Sequence, residues 1–337
     1  MIDISREEEI RNPKDVRRHL VLLGAGASCA ATPHGDAKGR RLPVMNNFVE
    51  TVGVGSLLDK AGIDWAKRNF EDVYSELAAS GGQHEVKEEL ERRVESYFSG
   101  LVLPSQPTVY DHLVLSLRKK DVIATFNWDP FLIQAYRRSR HVTDSLPMLL
   151  FLHGCVAHGF CAKDDVSGLR GARCSRCGGA FTPDRLLFPI SQKDYSTAPS
   201  VASAWEKVRQ GLEESLMFTI FGYGAPTSDR DAVALLQRAW GSASSRQLEQ
   251  IEIIDIRSEE ELANTWSGFI HTHHYDVFRS FHDSFIANHP RRSIEAFGNQ
   301  YLDARFIEEN PAPLNGTLDE LHSWFTPLVQ AERAAGL

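Results

Sequence analysis

The chain has 337 residues, 42% hydrophobic and 24% charged, which suits a globular protein of one large α/β domain with insertions, or of two domains. No apolar run approaches the roughly 20 residues of a membrane helix. The opening stretch MIDISREEEIRNPKD is too charged for a secretory signal, so a cytoplasmic location is expected. A formal net charge of −8 argues against a whole-surface grip on nucleic acid, and the pairs Arg40-Arg41 and Arg137-Arg138 read as solvated faces.

Apolar runs bounded by turn signals recur along the chain, with helical patterns between them. HLVLLG (19–24) comes first and passes directly into a glycine-rich turn, GAGAS, Gly24 to Ser28. Residues 45–103 read as helices inserted before the second run. PTVYDHLVLSLRKK (107–120) sets Val109, Leu113 and Leu117 on one helical stripe. DVIATF (121–126) leads into TFNWD, Thr125 to Asp129, and LPMLLFLHG (146–154) ends on His153-Gly154. SLMFTIFGYG (215–224) and QIEIIDIR (250–257) complete the set, separated by DRDAVALLQRAW (229–240), where Asp229 is expected as an N-cap.

Near-continuous apolar strands suit a sheet buried on both faces, hence parallel. Their alternation with helices predicts a doubly wound, Rossmann-like α/β fold. The main domain is expected over 1–275, with a helical insertion at about 45–103 and a second insertion at about 155–187. The tail, 276–337, is expected as helices packed on the sheet or on a neighbouring subunit.

Three of these runs end in polar residues where such sheets bind ligands, beyond the carboxyl ends of the strands. Gly24 and Gly26 allow a tight turn and close approach to a pyrophosphate. Asn127 and Asp129 stand at the second strand end, and His153, a candidate general base near neutral pH, at the third. Taken singly, each is also an ordinary turn or a structural histidine. Their occurrence at three strand ends of one sheet points to a shared site.

Cys155, Cys161, Cys174 and Cys177 crowd into 23 residues, with Cys29 apart. An odd number of cysteines argues against a disulfide framework. Cys174-x-x-Cys177 is compatible with redox chemistry, but a neighbouring third cysteine and too little apolar surface for a local core favour structural zinc. His271, His273 and His274 form another group, with no cysteine or carboxylate at matching spacing, and are expected to be structural or surface residues.

In this order the residues resemble the sirtuin family, in its divergent branch from bacterial antiphage systems. Familiar sirtuins carry G-A-G-x-S, then Q-N-x-D, then H-G, a zinc module, and a G-T-S-type turn. This chain carries GAGAS (24–28), FNWD (126–129), HG (153–154), the cysteine cluster and GYG (222–224), over roughly residues 19–257. The resemblance implies a sirtuin-type sheet with a small zinc-ribbon-like module. It implies NAD contacts from Gly24, Ala25, Gly26 and Ser28, from Asp129, from Gly222 and Tyr223 in the turn GYGAPTS, and from Asp255 near the adenosine ribose.

Cys161 follows His153 by eight residues, as the first zinc cysteine follows the family's catalytic histidine, and the second family cysteine is replaced by Asp164. The fourth ligand beside Cys161, Cys174 and Cys177 is then His158, Cys155 or Asp164. His158 is preferred because His158-x-x-Cys161 pairs with Cys174-x-x-Cys177.

The departures concern substrate. The family's G-I-P-D-F-R loop is replaced by CAATPHGDAKGRRLPVMNNF (29–48), its F-G-E segment by FPI (188–190), and its glutamine by Phe126. The parts that cleave NAD remain and the parts that seat a peptide do not. The resemblance therefore implies an NAD glycohydrolase giving ADP-ribose and nicotinamide, with Asn127 and His153 catalytic and Asp129 on the nicotinamide carboxamide. Two alternatives stand: an NAD-dependent deacylase or ADP-ribosyl transferase, and a catalytically silent NAD-binding subunit. A lethal NADase needs gating, and no large sensor domain is expected after about residue 275. Gating is then expected from a homo-oligomer or a separate activating protein, such as a DNA-translocase ATPase or an Argonaute-like protein.

Overall fold

The computed structural model describes residues 3–190, 195, 198–242, 244–270 and 275–337. Its frame is a parallel sheet of six strands: β1 (Arg18–Leu23), β2 (Val122–Thr125), β3 (Met148–Phe151), β7 (Ser215–Phe221), β8 (Gln250–Ile254) and β9 (Tyr275–Phe278). The intervening β4 (His158–Cys161), β5 (Val166–Leu169) and β6 (Thr182–Pro183) form a separate antiparallel sheet. The main sheet runs β3-β2-β1-β7-β8-β9, with all pairs parallel. Strand order reverses between β1 and β7, which makes their carboxyl ends the topological switch point.

Alternation along β1 explains why the sheet is buried on both faces. Leu20 and Leu22 point to one side, where they meet Trp205, Val208 and Leu212 of the helix Pro199–Glu214 and Leu236 of the helix Arg230–Trp240. Val21 and Leu23 point to the other, into a core shared with the inserted helices and the tail. The inserted helices, Phe48–Val52, Gly55–Lys60, Phe70–Ala79 and His84–Ser99, are anchored by aromatic packing. Phe48 stacks on Phe70 at 4.0 Å, and Phe98 meets Trp128 edge-on at 5.7 Å, just past β2. This contact holds the insertion over the carboxyl end of the sheet.

The tail shares the main core: Leu321, Phe325 and Leu328 of the helix Leu318–Ala334 belong to the same buried cluster as Val21 and Leu23. Arg291 and Arg292, both fully buried, bind the Glu332 carboxylate, and Arg291 also donates to the carbonyls of Leu115 and Leu117. Every charge in this buried group is paired, as burial requires. The sixth strand, β9, was not expected. It pairs with β8 at the sheet edge, where its four residues are only half-buried, and it lies across the anticipated boundary at 275. His271, His273 and His274 lie outside the described residues. Among the described residues no helix is long and apolar enough to cross a membrane.

Candidate functional site

The turns that follow β1 and β7 interlock. Gly24 N–H donates to Phe221 O, and Gly26 N–H donates to Gly222 O at 2.9 Å. A β-carbon at Gly24 would stand 2.5 Å from Gly222 O, and one at Gly222, where φ is +61°, would stand 2.4 Å from Ala27 N. These glycines are thus demanded by the contact between two turns, in addition to any approach of a ligand.

Above the interlocked turns lies a cavity of about 390 Å³. Its floor includes Gly24, Ala25, Gly222 and Tyr223, and its wall includes Asn127, Asp129 and His153. The inserted helices contribute Phe48, Asn69 and Glu71, and the loop before them contributes Leu42 through Asn46. Size and mixed lining are those of a small-molecule site.

Asn127 is half-buried at the end of β2. Its Nδ2 lies 2.8 Å from Gly24 O, 2.9 Å from Ser28 Oγ and 3.2 Å from Tyr110 OH. Ser28 Oγ donates to Asp129 Oδ2 at 2.7 Å. With that one hydrogen engaged, the 2.7 Å contact between Tyr110 and Ser28 must have the phenol as donor. A directed chain follows: Tyr110 to Ser28 to the Asp129 carboxylate, with the Asn127 amide bridging its start and middle. These bonds orient the amide and leave Asn127 Oδ1 as its group for a ligand.

Asp129 is almost fully buried. Burial raises its pKa to about 6, while the Ser28 hydroxyl and the Phe131 N–H, both donating to it, hold the value down. Ser28 and Gly26 were expected as cofactor contacts. Neither lines the cavity; Ser28 acts from behind, on Asn127 and Asp129. Asp255 also lies off the cavity, its carboxylate bound by Arg257 at 2.8 Å.

His153 follows β3 and is 6% exposed. The glycine after it is steric: Gly154 has φ +76°, and a β-carbon there would stand 2.6 Å from Arg185 O. Phe126 meets the imidazole edge-on at 4.7 Å, and Tyr195 lies parallel to it at 5.9 Å. Asp229 Oδ1 is 3.8 Å from His153 Nε2. Asp229 holds the N-cap position of the helix Arg230–Trp240, as expected, but its side chain makes no capping bond. It turns toward the cavity and accepts from Tyr223 OH at 3.0 Å. Asp229 and Tyr110 are among the site residues that sequence reasoning missed, one read as a cap and the other hidden beside an apolar helical stripe.

The cysteines form a separate group. Cys161, Cys174 and Cys177 gather with Asp164, their ligand atoms all within 4.8 Å of one another. Cys161 and Cys174 lean on Asp164 Oδ2 at 3.4 and 3.2 Å. Three thiols and a carboxylate at this separation fit tetrahedral zinc. A zinc ion held there would cross-link β4 to the loop 174–178, a region whose own apolar core is only Cys161, Cys174 and Phe181 with Val166.

His158, preferred as the fourth ligand, lies outside this group, and Asp164, one of its alternatives, stands within it. His158 and Cys161 occupy the two ends of β4, so three residues of strand set them on opposite faces and about 10 Å apart. His158 Nδ1 is instead bonded to Asp184 at 2.7 Å. Cys155 lies under the cavity, its thiol donating to Asp129 O.

No model of a known protein family matches the chain, and no curated protein matches it. Among solved structures, the chain is similar to a Sir2 homologue in complex with NAD, at a TM-score of 0.44 and 15% identity, covering 86% of this chain and 93% of that one. It is similar to a structure concerned with the mechanism and regulation of Sir2 enzymes, at a TM-score of 0.39 and 13% identity, covering 97% and 96%. A Sir2 homologue mutant in complex with ADP-ribose is similar at a TM-score of 0.39 and 13% identity, covering 86% and 96%.

Proposed function

We propose that this chain binds NAD in the cavity at the switch point and hydrolyses its nicotinamide–ribose bond. The observation that carries the reading is that Asn127, Asp129 and His153, from two strand ends, face one cavity beside the β1 and β7 turns. The order of motifs, which resembles that of sirtuins, supports the same ligand.

The reaction asks three things of the site. The nicotinamide must be held out of conjugation, a nucleophile must sit below the ribose, and a base must take up a proton. Asp129 would hold the carboxamide. Asn127, its amide nitrogen fixed by Gly24 and Ser28, would present Oδ1 to the attacking water or to the ribose hydroxyls. The C1′–N bond breaks with its electron pair leaving on the nicotinamide nitrogen, the water oxygen bonds to C1′, and His153 takes the proton. The products are ADP-ribose and nicotinamide.

A gate is proposed for the loop before the inserted helices. Its first half is pinned: Asp36 accepts from the N–H groups of Lys38, Arg40 and Val102 and from the Arg40 guanidinium. Its second half, Leu42 to Asn46, forms cavity wall, and movement there would open or close the site. A second copy of the chain or an activating protein, as in antiphage defence, would act by preferring the open form. A 100-fold activation corresponds to about 2.7 kcal/mol of such preference.

The deciding experiment incubates pure protein with NAD, with and without an acetylated peptide, across a dilution series. ADP-ribose and nicotinamide without peptide are expected, with turnover per subunit changing with concentration. Cleavage that requires the peptide would replace the reading with a deacylase, and NAD binding without turnover would replace it with a silent subunit. Constant turnover down to a verified monomer would remove gating by self-assembly.

A further inference from the structure

We propose that Asp229 is the positioning residue for His153, an assignment that rests on the hydrolase reading for its chemistry and on geometry for its existence. The two side chains come from opposite sides of the switch point, His153 from the end of β3 and Asp229 from the turn after β7. Asp229 Oδ1 stands 3.8 Å from His153 Nε2, and both residues line the cavity. Asp229 is 4% exposed, so little water screens the pair.

The carboxylate is held in place for this contact. Tyr223 OH donates to its other oxygen at 3.0 Å. The Tyr223 ring stacks on Phe126 at 4.3 Å, and Phe126 in turn meets the imidazole edge-on. The side chain also gives up what its position normally provides, since an aspartate at a helix N-cap ordinarily accepts from the second or third N–H of the helix, and Asp229 does not. A carboxylate that leaves its cap to face an imidazole favours the protonated ring. It would stabilise the imidazolium that forms when His153 takes the proton of the attacking water, the part an acidic residue plays behind a catalytic histidine elsewhere.

Among the described residues, the Tyr195 phenol, from before the helix Pro199–Glu214, lies against the His153 ring, and the Tyr223 phenol is bound to Asp229. Asp129 and Glu71 are the further carboxylates of the cavity wall.

Asp229→Asn keeps the shape and an oxygen for Tyr223 while removing the charge. The imidazole of His153 is titrated by NMR in the unliganded protein, its resonance assigned by its loss in His153→Gln. The pKa should fall by at least about half a unit in Asp229→Asn. The kcat for NAD should fall on the order of 10-fold or more, with KM within about threefold. Asp229→Glu, which keeps the charge, should recover part of the loss. Should Asp229→Asn not fold, Asp229→Ser, uncharged and still able to accept from Tyr223, is read in the same way. An unchanged imidazole pKa, or a loss confined to KM, overturns the assignment. If the wild type does not cleave NAD, the hydrolase reading fails, and the titration alone decides on Asp229.

Discussion

β1 carries a buried polar network at each of its ends, and the one at its carboxyl end faces a cavity. At the carboxyl end, Ser28, Tyr110, Asn127 and Asp129 are joined as described, and Asn127 and Asp129 look into open space. At the amino end, His19 Nε2 meets Thr219 Oγ1 at 2.7 Å, and its Nδ1 meets Ser293 Oγ at 2.9 Å. Thr219 donates to Glu252, which also accepts from Phe285 N. With the Thr219 hydrogen given to an ionised Glu252, His19 carries its proton on Nε2 and accepts from Ser293. Burial draws the His19 pKa down to about 3, against the pull of Asp121, and pushes Glu252 up to about 7, against the bonds from Thr219 and Phe285.

Both networks hold groups whose pKa is shifted by burial. The amino-end chain is complete within itself, closed off by Ser293 and Phe285 from the tail. The carboxyl-end network keeps acceptors toward a cavity. A shifted pKa therefore marks burial, and the opening beside it marks chemistry.

The largest effect is expected from a region that belongs to neither network. Replacing Cys174 and Cys177 with serine should remove bound zinc, about one ion per chain in wild type by mass spectrometry, and loosen residues 155–187. Structural zinc in small modules contributes on the order of 10–16 kcal/mol of apparent binding energy. Metal-free wild-type protein with unchanged protection of this segment from hydrogen exchange would show that the cysteines only pack.

Next in size, Asn127→Ala should lower NAD cleavage by about 10²–10⁴-fold while the melting temperature moves little, because the groups it leaves lie beside a cavity open to water. A large fall in melting temperature with modest loss of rate would make the two networks alike after all. Glu252→Ala should do the reverse. It leaves the Thr219 hydroxyl and the Phe285 N–H buried without an acceptor, at about 1–3 kcal/mol each, and should spare NAD turnover per folded molecule. Denaturant titration and an initial-rate assay on the same sample decide between them.

The smallest effect sharpens the contrast through pH. Glu252 has its pKa raised in the fold, from 4.5 to about 7, so the native state holds a proton there that the unfolded chain has released. Its contribution to stability is fully present below about pH 4.5 and is lost as pH rises through about 7. Relative to Glu252→Gln, the wild type should therefore lose stability between about pH 5 and 8, measured as the difference in melting temperature. A difference that is flat or rises with pH would place the charge of Glu252 elsewhere.

The strands and the strand-end motifs were legible because burial on both faces leaves continuous apolar runs and because each run stops at a recognisable turn. β9 was not, since Tyr275–Phe278 at a sheet edge needs no apolar run. Asp229 was read by its place at a helix start, and nothing in the local sequence tells which way the carboxylate turns. The nearness of Asp164 to the three thiols was not legible, because spacing paired His158-x-x-Cys161 with Cys174-x-x-Cys177, whereas residues 158–161 form a strand whose alternation separates the two. Ser28 was legible as a site residue but not as one acting from behind, because that depends on a contact with Tyr110 on an element 82 residues away.

The interlock of the turns after β1 and β7 also bears on how a ligand could enter. Gly24, Gly26 and Gly222 fit so closely that even a methyl group would drive the two halves of the sheet apart at their junction. The two turns therefore behave as a single riveted plate, with no clearance between them for either to swing. Breathing of the chamber is then left to its other walls, among them the ceiling formed by Leu42 to Asn46 and the aromatic helices behind it. Ligand specificity could then be remodelled in that ceiling without disturbing the plate on which catalysis would rest.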